Sequence, residues 1–296
     1  MISIQSKKSL ESVMDFMYAY LSLKAYFFTG RTKVMDTEYP NSEYVKIWRE
    51  NFSISKPEKI VETIFAEPEF SCIDFCDTLD RASYFALIHP NHPNITLGFI
   101  KDADLWNIWL CEAPFSVARD VISEILNLGE DSTKIVDFGC GSVSPHYYGN
   151  IVGSKGIYTG IDHSHSILKI AENRIKSENL DWVNLKKFNI ESKLIAKRKY
   201  DVVICSSILQ YVNLKPVLKN AGEMVGYDGR IIIFSEVFSD LEPEKEKILK
   251  LYYSLIPNFK KFPSVSEILE ILDLMGVCYK YKIVCKNILL LELVGR

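Results

Sequence analysis

The sequence predicts an α/β fold: a doubly wound, seven-stranded sheet whose last strand runs antiparallel, plus a mostly helical N-terminal region. Three observations carry this. From Phe115 onward, short apolar runs alternate with amphipathic helical stretches, the pattern of βαβ units around a mainly parallel sheet. The first of those runs ends in Gly139-Cys140-Gly141, a tight turn leading directly into a helix start. The last two runs, Cys278–Val284 and Ile288–Val294, are separated by Lys286-Asn287, a hairpin connection that reverses the final strand.

In chain order, Ser9 or Leu10 to Phe28 reads as the strongest N-terminal helix, with Ser42–Phe52 and Pro57–Phe65 as shorter ones. Pro40, Pro57, Pro68, Pro90 and Pro93 punctuate this region, and Asn94–Ile100 reads as a short strand. Trp106 and Trp109, among the apolar residues of Leu105–Leu110, are expected to pack at the seam with the following part rather than to cage a ligand. Residues 1–115 are therefore expected to form a helical cap, a substrate-binding or a dimerisation region, and residues 116–296 the sheet-bearing core.

In the core, Val117–Leu128 is expected to be helical and Lys134–Phe138 to be the first strand. A short helix should begin near Pro145, with Ser144 as its N-cap. Ile157–Ile161 follows as a strand, Ser164 caps a helix over His165–Ser177, and Trp182–Phe188 and Tyr200–Ser206 are strands three and four. Leu214–Met224 reads as helix, Asp228-Gly229 as a turn, and Arg230–Ser235 as strand five. Leu241–Leu255 is an additional helical segment, and Ser264 or Ser266 caps a helix over Ile268–Met275.

Composition narrows the partners. Of 296 residues, 48% are hydrophobic and 25% charged, enough apolar surface for a sizeable core. The formal charge is −3, and its distribution is uneven: residues 1–115 hold 11 Lys/Arg against 16 Asp/Glu, and the remainder 24 against 22. Neither part has the basic stripe that tight nucleic-acid binding requires. Seven cysteines, an odd number and several within apolar runs, fit free thiols in a reducing compartment. Cys72 and Cys76 are four apart, but no further ligands follow at metal-site spacing, so no metal is expected. Met14–Phe28 is apolar yet interrupted by Asp15 and Lys24, and too short for the ~20 apolar residues of a membrane span. A cytoplasmic protein without a membrane segment is the expectation.

The glycine turn marks the candidate site. Gly139 and Gly141 allow close backbone approach, and the following helix start presents N–H groups to an anionic ligand group. Asp162 lies 25 residues after Asp137 at the end of strand two, where a carboxylate can accept hydrogen bonds from ribose hydroxyls. A dinucleotide unit has similar spacing, so three features discriminate. Ser144 stands where that fingerprint wants a third small residue, Asp137 precedes the first glycine where an apolar residue is usual, and the chain closes in an antiparallel hairpin. A carboxylate at 137 suits a ligand ammonium group.

These motifs resemble those of the class I S-adenosylmethionine (SAM) methyltransferases over residues 116–296, which implies a Rossmann-like methyltransferase sheet. Asp137-Phe138-Gly139-Cys140-Gly141 is similar to the family's first motif and implies methionine-end contacts from Asp137, Gly139 and Gly141. Gly160-Ile161-Asp162-His163-Ser164 resembles the acidic strand-two motif, implying a ribose clasp by Asp162 with His163 lining the adenosine. Phe188-Asn189-Ile190 is similar to the adenine-holding motif, and the segment Tyr200–Tyr211 to the strand-four motif whose end, from Ser206, faces cofactor and acceptor. Three positions depart from the pattern. Val143 replaces a common third glycine, Asn189 stands where an acid often meets the adenine amine, and Asp228 replaces a glycine of the strand-five turn. The amide oxygen of an asparagine can still accept that hydrogen bond.

The resemblance implies methyl transfer from SAM, leaving S-adenosylhomocysteine (SAH), with a small-molecule acceptor as the expected substrate. Gln210 and Tyr211 follow strand four and Glu236 follows strand five, which makes them the expected acceptor-facing residues. Neither Gln210 nor Tyr211 is a base at neutral pH, so Glu236 is the candidate for that role. Protein or RNA methylation, aminocarboxypropyl transfer and non-catalytic SAM binding are the alternatives, because a cofactor fold alone does not fix the chemistry. A homodimer through the aromatic N-terminal region is compatible with the sequence. His146, His163 and His165 are expected to play no catalytic part.

Overall fold

The computed structural model describes residues 103–111, 113–128, 132–193, 200–237, 258–284 and 288–294. The helices expected before residue 100, the strand at Asn94–Ile100, Cys72 and Cys76, and the helix at Leu241–Leu255 lie outside the described residues. The chain divides into two compact units, and the sheet belongs to the one holding Ser116–Asp240 and Lys260–Arg296. Helix α1 (Ala103–Cys111), which belongs to the other, buries Trp106 to 6% exposure.

In the sheet-bearing unit, α2 (Ala113–Leu126) precedes β1 (Lys134–Phe138), α3 (Ser144–Val152) and β2 (Ile157–Asp162). There follow α4 (His165–Ser177), β3 (Val183–Lys187), β4 (Tyr200–Ser206), a 3-10 turn at Leu209–Tyr211, and α5 (Leu214–Met224). The unit closes with β5 (Val225–Glu236), α6 (Val265–Met275), β6 (Cys278–Val284) and β7 (Ile288–Val294). The seven strands are ordered β3-β2-β1-β4-β5-β7-β6. β1 to β5 pair in parallel, and β7 inserts antiparallel between β5 and β6. This is the doubly wound sheet with an antiparallel last strand that the sequence predicts.

Three local expectations are corrected. Ser144 does not cap α3. Val143 does, without a side-chain bond, because the Val143 carbonyl already accepts from Tyr147 N at 3.0 Å and draws Ser144 into the first turn. β5 begins at Val225 rather than Arg230. Tyr200 pairs with Val225 and Val202 with Arg230, so the Asp228-Gly229 turn is a bulge within the ladder. β3 is shorter than expected and starts at Val183; Trp182 lies in the turn before it, its carbonyl accepting from Tyr158 N at 3.2 Å and its indole N–H donating to the Gly149 carbonyl at 2.7 Å.

The caps of α4 and α6 follow their sequences. Ser164 accepts from Ile167 N, and Ser264 with Glu267 forms a reciprocal capping box. Gly276 ends α6 in the left-handed conformation. The core lies where β1, β4, β5 and β7 bury both faces. Ile135, Val136, Phe138, Val203, Ile204, Ile232, Ile233, Leu289 and Leu291 are fully buried, as strands flanked by helices on both faces require.

Candidate functional site

The glycine turn sits at the carboxyl end of β1, the edge where open α/β sheets hold ligands. Gly139 and Gly141 both adopt positive φ, +69° and +62°, a conformation that disfavours other residues. At Gly139 there is also no room: an added Cβ would lie 2.3 Å from Ile208 Cγ2, in the connection after β4. The turn is tied to β2, as Gly139 N and Cys140 N donate to the Ile161 carbonyl at 2.8 and 3.2 Å. Beyond it, α3 has Val143 as its N-cap, without a side-chain cap bond, and Pro145 in its first turn.

Asp162 bridges the two strand ends. One carboxylate oxygen accepts from Gly141 N at 3.1 Å and the other from Ser164 N at 2.9 Å. Burial raises its pKa, opposed by the Ser164 N–H, the His163 charge and the Gly141 N–H. A carboxylate offers about four acceptor positions, so these backbone bonds leave capacity for ribose hydroxyls. His163 is exposed, with Nδ1 3.6 Å from Asp162.

Asp137 is almost wholly buried. It accepts from the Tyr158 hydroxyl at 2.6 Å. Burial pushes its carboxyl up to about 7, the Tyr158 hydrogen bond opposes this, the Asp162 charge adds to it, and the Arg119 charge opposes it. Sequence reasoning overlooked both Tyr158 and Arg119. Tyr158 belongs to β2 and reaches Asp137 only across the strand pairing. Arg119 had a legible signal: it is a cation among the buried Ala118, Val121 and Ile122 of α2, itself only 6% exposed.

Asn189 and Ile190 follow β3. Asn189 is exposed, and its side-chain oxygen accepts from Glu191 N at 3.0 Å in a local turn. Ile190 is buried, and its carbonyl accepts from Asn220 at 2.6 Å, which fixes the segment against α5. Ser206 ends β4, half-buried, before Ser207 turns through φ +52°.

A second cluster lies beyond β4 and β5. Gln210 Nε2 donates to Glu236 Oε2 at 3.0 Å, with both residues buried. The adjacent Tyr211 phenol is pushed well above its usual range, first by burial and then by the Glu236 charge, with the Gln210 amide opposing. Residues far apart in the chain meet because Ser206 pairs with Phe234, so the two strands end side by side. Lys260 N holds the Gln210 carbonyl at 2.9 Å. His146 does not join either cluster, as its Nε2 pairs with Glu178 at 2.6 Å. Among the described residues no group of His, Cys, Asp and Glu is arranged to hold a metal ion, and no helix is long and apolar enough to cross a membrane.

The geometry fits an adenosyl cofactor: a carboxylate with spare acceptor positions at the end of β2, a glycine turn leading into α3, and a buried carboxylate at the end of β1. The comparisons agree. Residues 129–272 match a family model described as a methyltransferase domain. An uncharacterized protein of Methanocaldococcus jannaschii is 32% identical over 244 residues, 82% of this chain, and the match spans 64% of that relative's length. Among solved structures, the CurJ carbon methyltransferase shares 10% identity at TM-score 0.61, over 99% of this chain and 93% of its own. An O-methyltransferase family protein from Burkholderia thailandensis shares 15% at TM-score 0.60, over 76% of this chain and 71% of its own. The methyltransferase-domain model thus covers the motif-bearing segment, residues 129–272, and the solved structures share the fold.

Proposed function

We propose that this protein transfers the methyl group of SAM to a small-molecule acceptor. The observation that carries the reading is the buried Gln210–Glu236 contact at 3.0 Å beyond β4 and β5, on the same sheet edge as the glycine turn. A polar pair in that position suits an acceptor group that must be oriented beside the cofactor.

In this reading Asp162 takes the ribose hydroxyls, Asp137 and the Gly139–Gly141 turn the methionine end, and Asn189 and Ile190 the adenine, with His163 and Ser206 at the rim. The bound cofactor supplies an already activated methyl carbon. The chain's own task is then orientation and exclusion of water. Glu236 serves as proton acceptor or orienting group, held by Gln210, with Tyr211 beside them. The Tyr211 phenol stays protonated at neutral pH, because burial and the Glu236 charge both raise its pKa. The absence of a basic stripe in the sequence favours a small molecule over RNA.

Incubation of the full chain with SAM and a metabolite extract tests this reading. Formation of SAH is the expected result. Methylthioadenosine would instead indicate aminocarboxypropyl transfer, and neither product would indicate a binding protein.

A further inference from the structure

We propose that cofactor binding is proton-linked: the ammonium group of SAM or SAH takes the place of a proton that Asp137 carries in the ligand-free protein. This rests on the reading above, in which Asp137 meets the methionine end. Asp137 is 3% exposed, next to last in β1. Its one hydrogen bond among the described residues comes from a neutral donor, the Tyr158 hydroxyl, at 2.6 Å. Arg119 of α2 acts on it only through space, and its guanidinium lies 5.8 Å from the Tyr147 ring centroid. Asp162, a second carboxylate at the neighbouring strand end, adds a negative charge. A buried carboxylate with no cation in contact is costly to ionise, so it keeps its proton until a positive group arrives.

The other groups that feel the Asp137 charge do not titrate near neutrality. They are Tyr158 of β2, Tyr148 of α3, Cys140 of the glycine turn and Cys205 of β4. Burial first, and carboxylate charge after it, raises all four, so each stays uncharged. Asp162 is the exception. Burial raises it as well, against the Ser164 N–H, the His163 charge and the Gly141 N–H. Its proposed partner is the ribose, which carries no charge, so Asp137 is the acid placed to exchange a proton for a cation.

The exchange balances in atoms and charge. The Asp137 O–H bond breaks, its electron pair stays on the carboxylate, and the proton leaves to solvent. An ammonium N–H then donates to the oxygen left bare, and the ligand keeps its own charge. One proton is released per ligand bound. Affinity therefore rises by up to about tenfold per pH unit while the ligand-free acid is protonated. It levels off once Asp137 has ionised, at about 7.

The test is calorimetric titration of the full chain with SAH between about pH 5 and pH 8. Two buffers of different ionisation enthalpy at each pH count the protons released. Methylthioadenosine, measured by competition against SAH, carries the same thioether and adenosine but no ammonium group. It keeps the ribose, so any titration of Asp162 appears with both ligands and cancels in their ratio. SAH affinity relative to methylthioadenosine should rise about tenfold per pH unit toward pH 7 and then level off, with close to one proton released at about pH 6. A flat ratio with no proton release would overturn the exchange while leaving cofactor binding standing. No SAH binding at any pH would overturn the cofactor reading and the exchange with it.

Two variants assign the proton, with melting temperature as the folding control. Asp137→Asn should flatten the ratio across the whole range. Tyr158→Phe loses the hydrogen bond that opposes the rise in the Asp137 pKa, so the bend in the profile should move to higher pH. An unchanged slope in Asp137→Asn, or an unmoved bend in Tyr158→Phe, would place the proton on another group and overturn the proposal. The Tyr158 variant decides the assignment if Asp137→Asn does not fold.

Discussion

Asp137 and Asp162 were both visible in the sequence as acids at strand ends, but they behave differently once folded. Asp137 has a folded pKa of about 7 against an ordinary 3.8, raised chiefly by burial. Such a group binds its proton more tightly in the folded state, so its stabilising contribution is complete below the ordinary value and is lost as pH rises toward 7. Asp137→Asn keeps an acceptor for Tyr158 and removes the titration. Its stability relative to wild type should therefore increase from pH 4 to pH 7, by up to about 1.4 kcal/mol per pH unit, and level off above. Urea denaturation across that range checks this, and a flat difference would refute it. At Asp162 the expected effect is on ligand binding. Asp162→Ala should weaken SAM by about 1–3 kcal/mol, the scale of hydrogen bonds to a charged group, as read by calorimetry. Tyr158 and Arg119 were not identified from sequence as parts of a site, and Gln210 was identified without its buried contact to Glu236, because each acquires its meaning from a residue on another element.

At the scale of elements, the glycine turn and the helix caps make separable predictions. Gly139→Ala forces a positive φ on a residue with a Cβ and drives that Cβ to 2.3 Å from Ile208. It should lower the melting temperature and weaken SAM together, since the same turn packs against the β4 connection and, in the proposed reading, holds the methionine end. Ser264→Ala removes the capping box of α6 without touching that edge. It should cost about 1 kcal/mol of stability and leave SAM affinity unchanged. Loss of SAM binding in the Ser264 variant would mean that α6 has a role its position does not indicate. Most strands were legible because alternating helical and short apolar runs specify them locally. The start of β5 was not. Asp228-Gly229 reads as a turn by its chemistry, yet the ladder resumes at Val225 because Tyr200 is available to pair with it. Ser144 was misread for a similar reason: its residue type suits a cap, but the helix's first backbone bond begins one residue earlier at Val143.

For the whole molecule, the decisive measurement is which adenosine-containing ligand binds. Calorimetric titration with SAM, SAH and NAD should show the first two binding and NAD absent or far weaker. Tight NAD binding without SAM would contradict the site as built. A saturating adenosyl ligand should also raise the melting temperature, because a ligand that binds only the folded state stabilises it by mass action.

The fold class of this protein is legible along the chain. Strand and helix periodicities, the Asp137–Gly141 turn, Asp162 and the closing hairpin are local or evenly spaced signals, and together they specify the sheet. Which side chains meet depends instead on how the strands pair. Parallel pairing of β4 with β5 brings Gln210, Tyr211 and Glu236 together across 25 residues of chain, and pairing of β1 with β2 places Tyr158 against Asp137. Burial then changes their chemistry, raising the Asp137 and Tyr211 pKa values and leaving the Gln210 oxygen unsatisfied. Such effects depend on what each group is packed against, and no spacing along the chain encodes that.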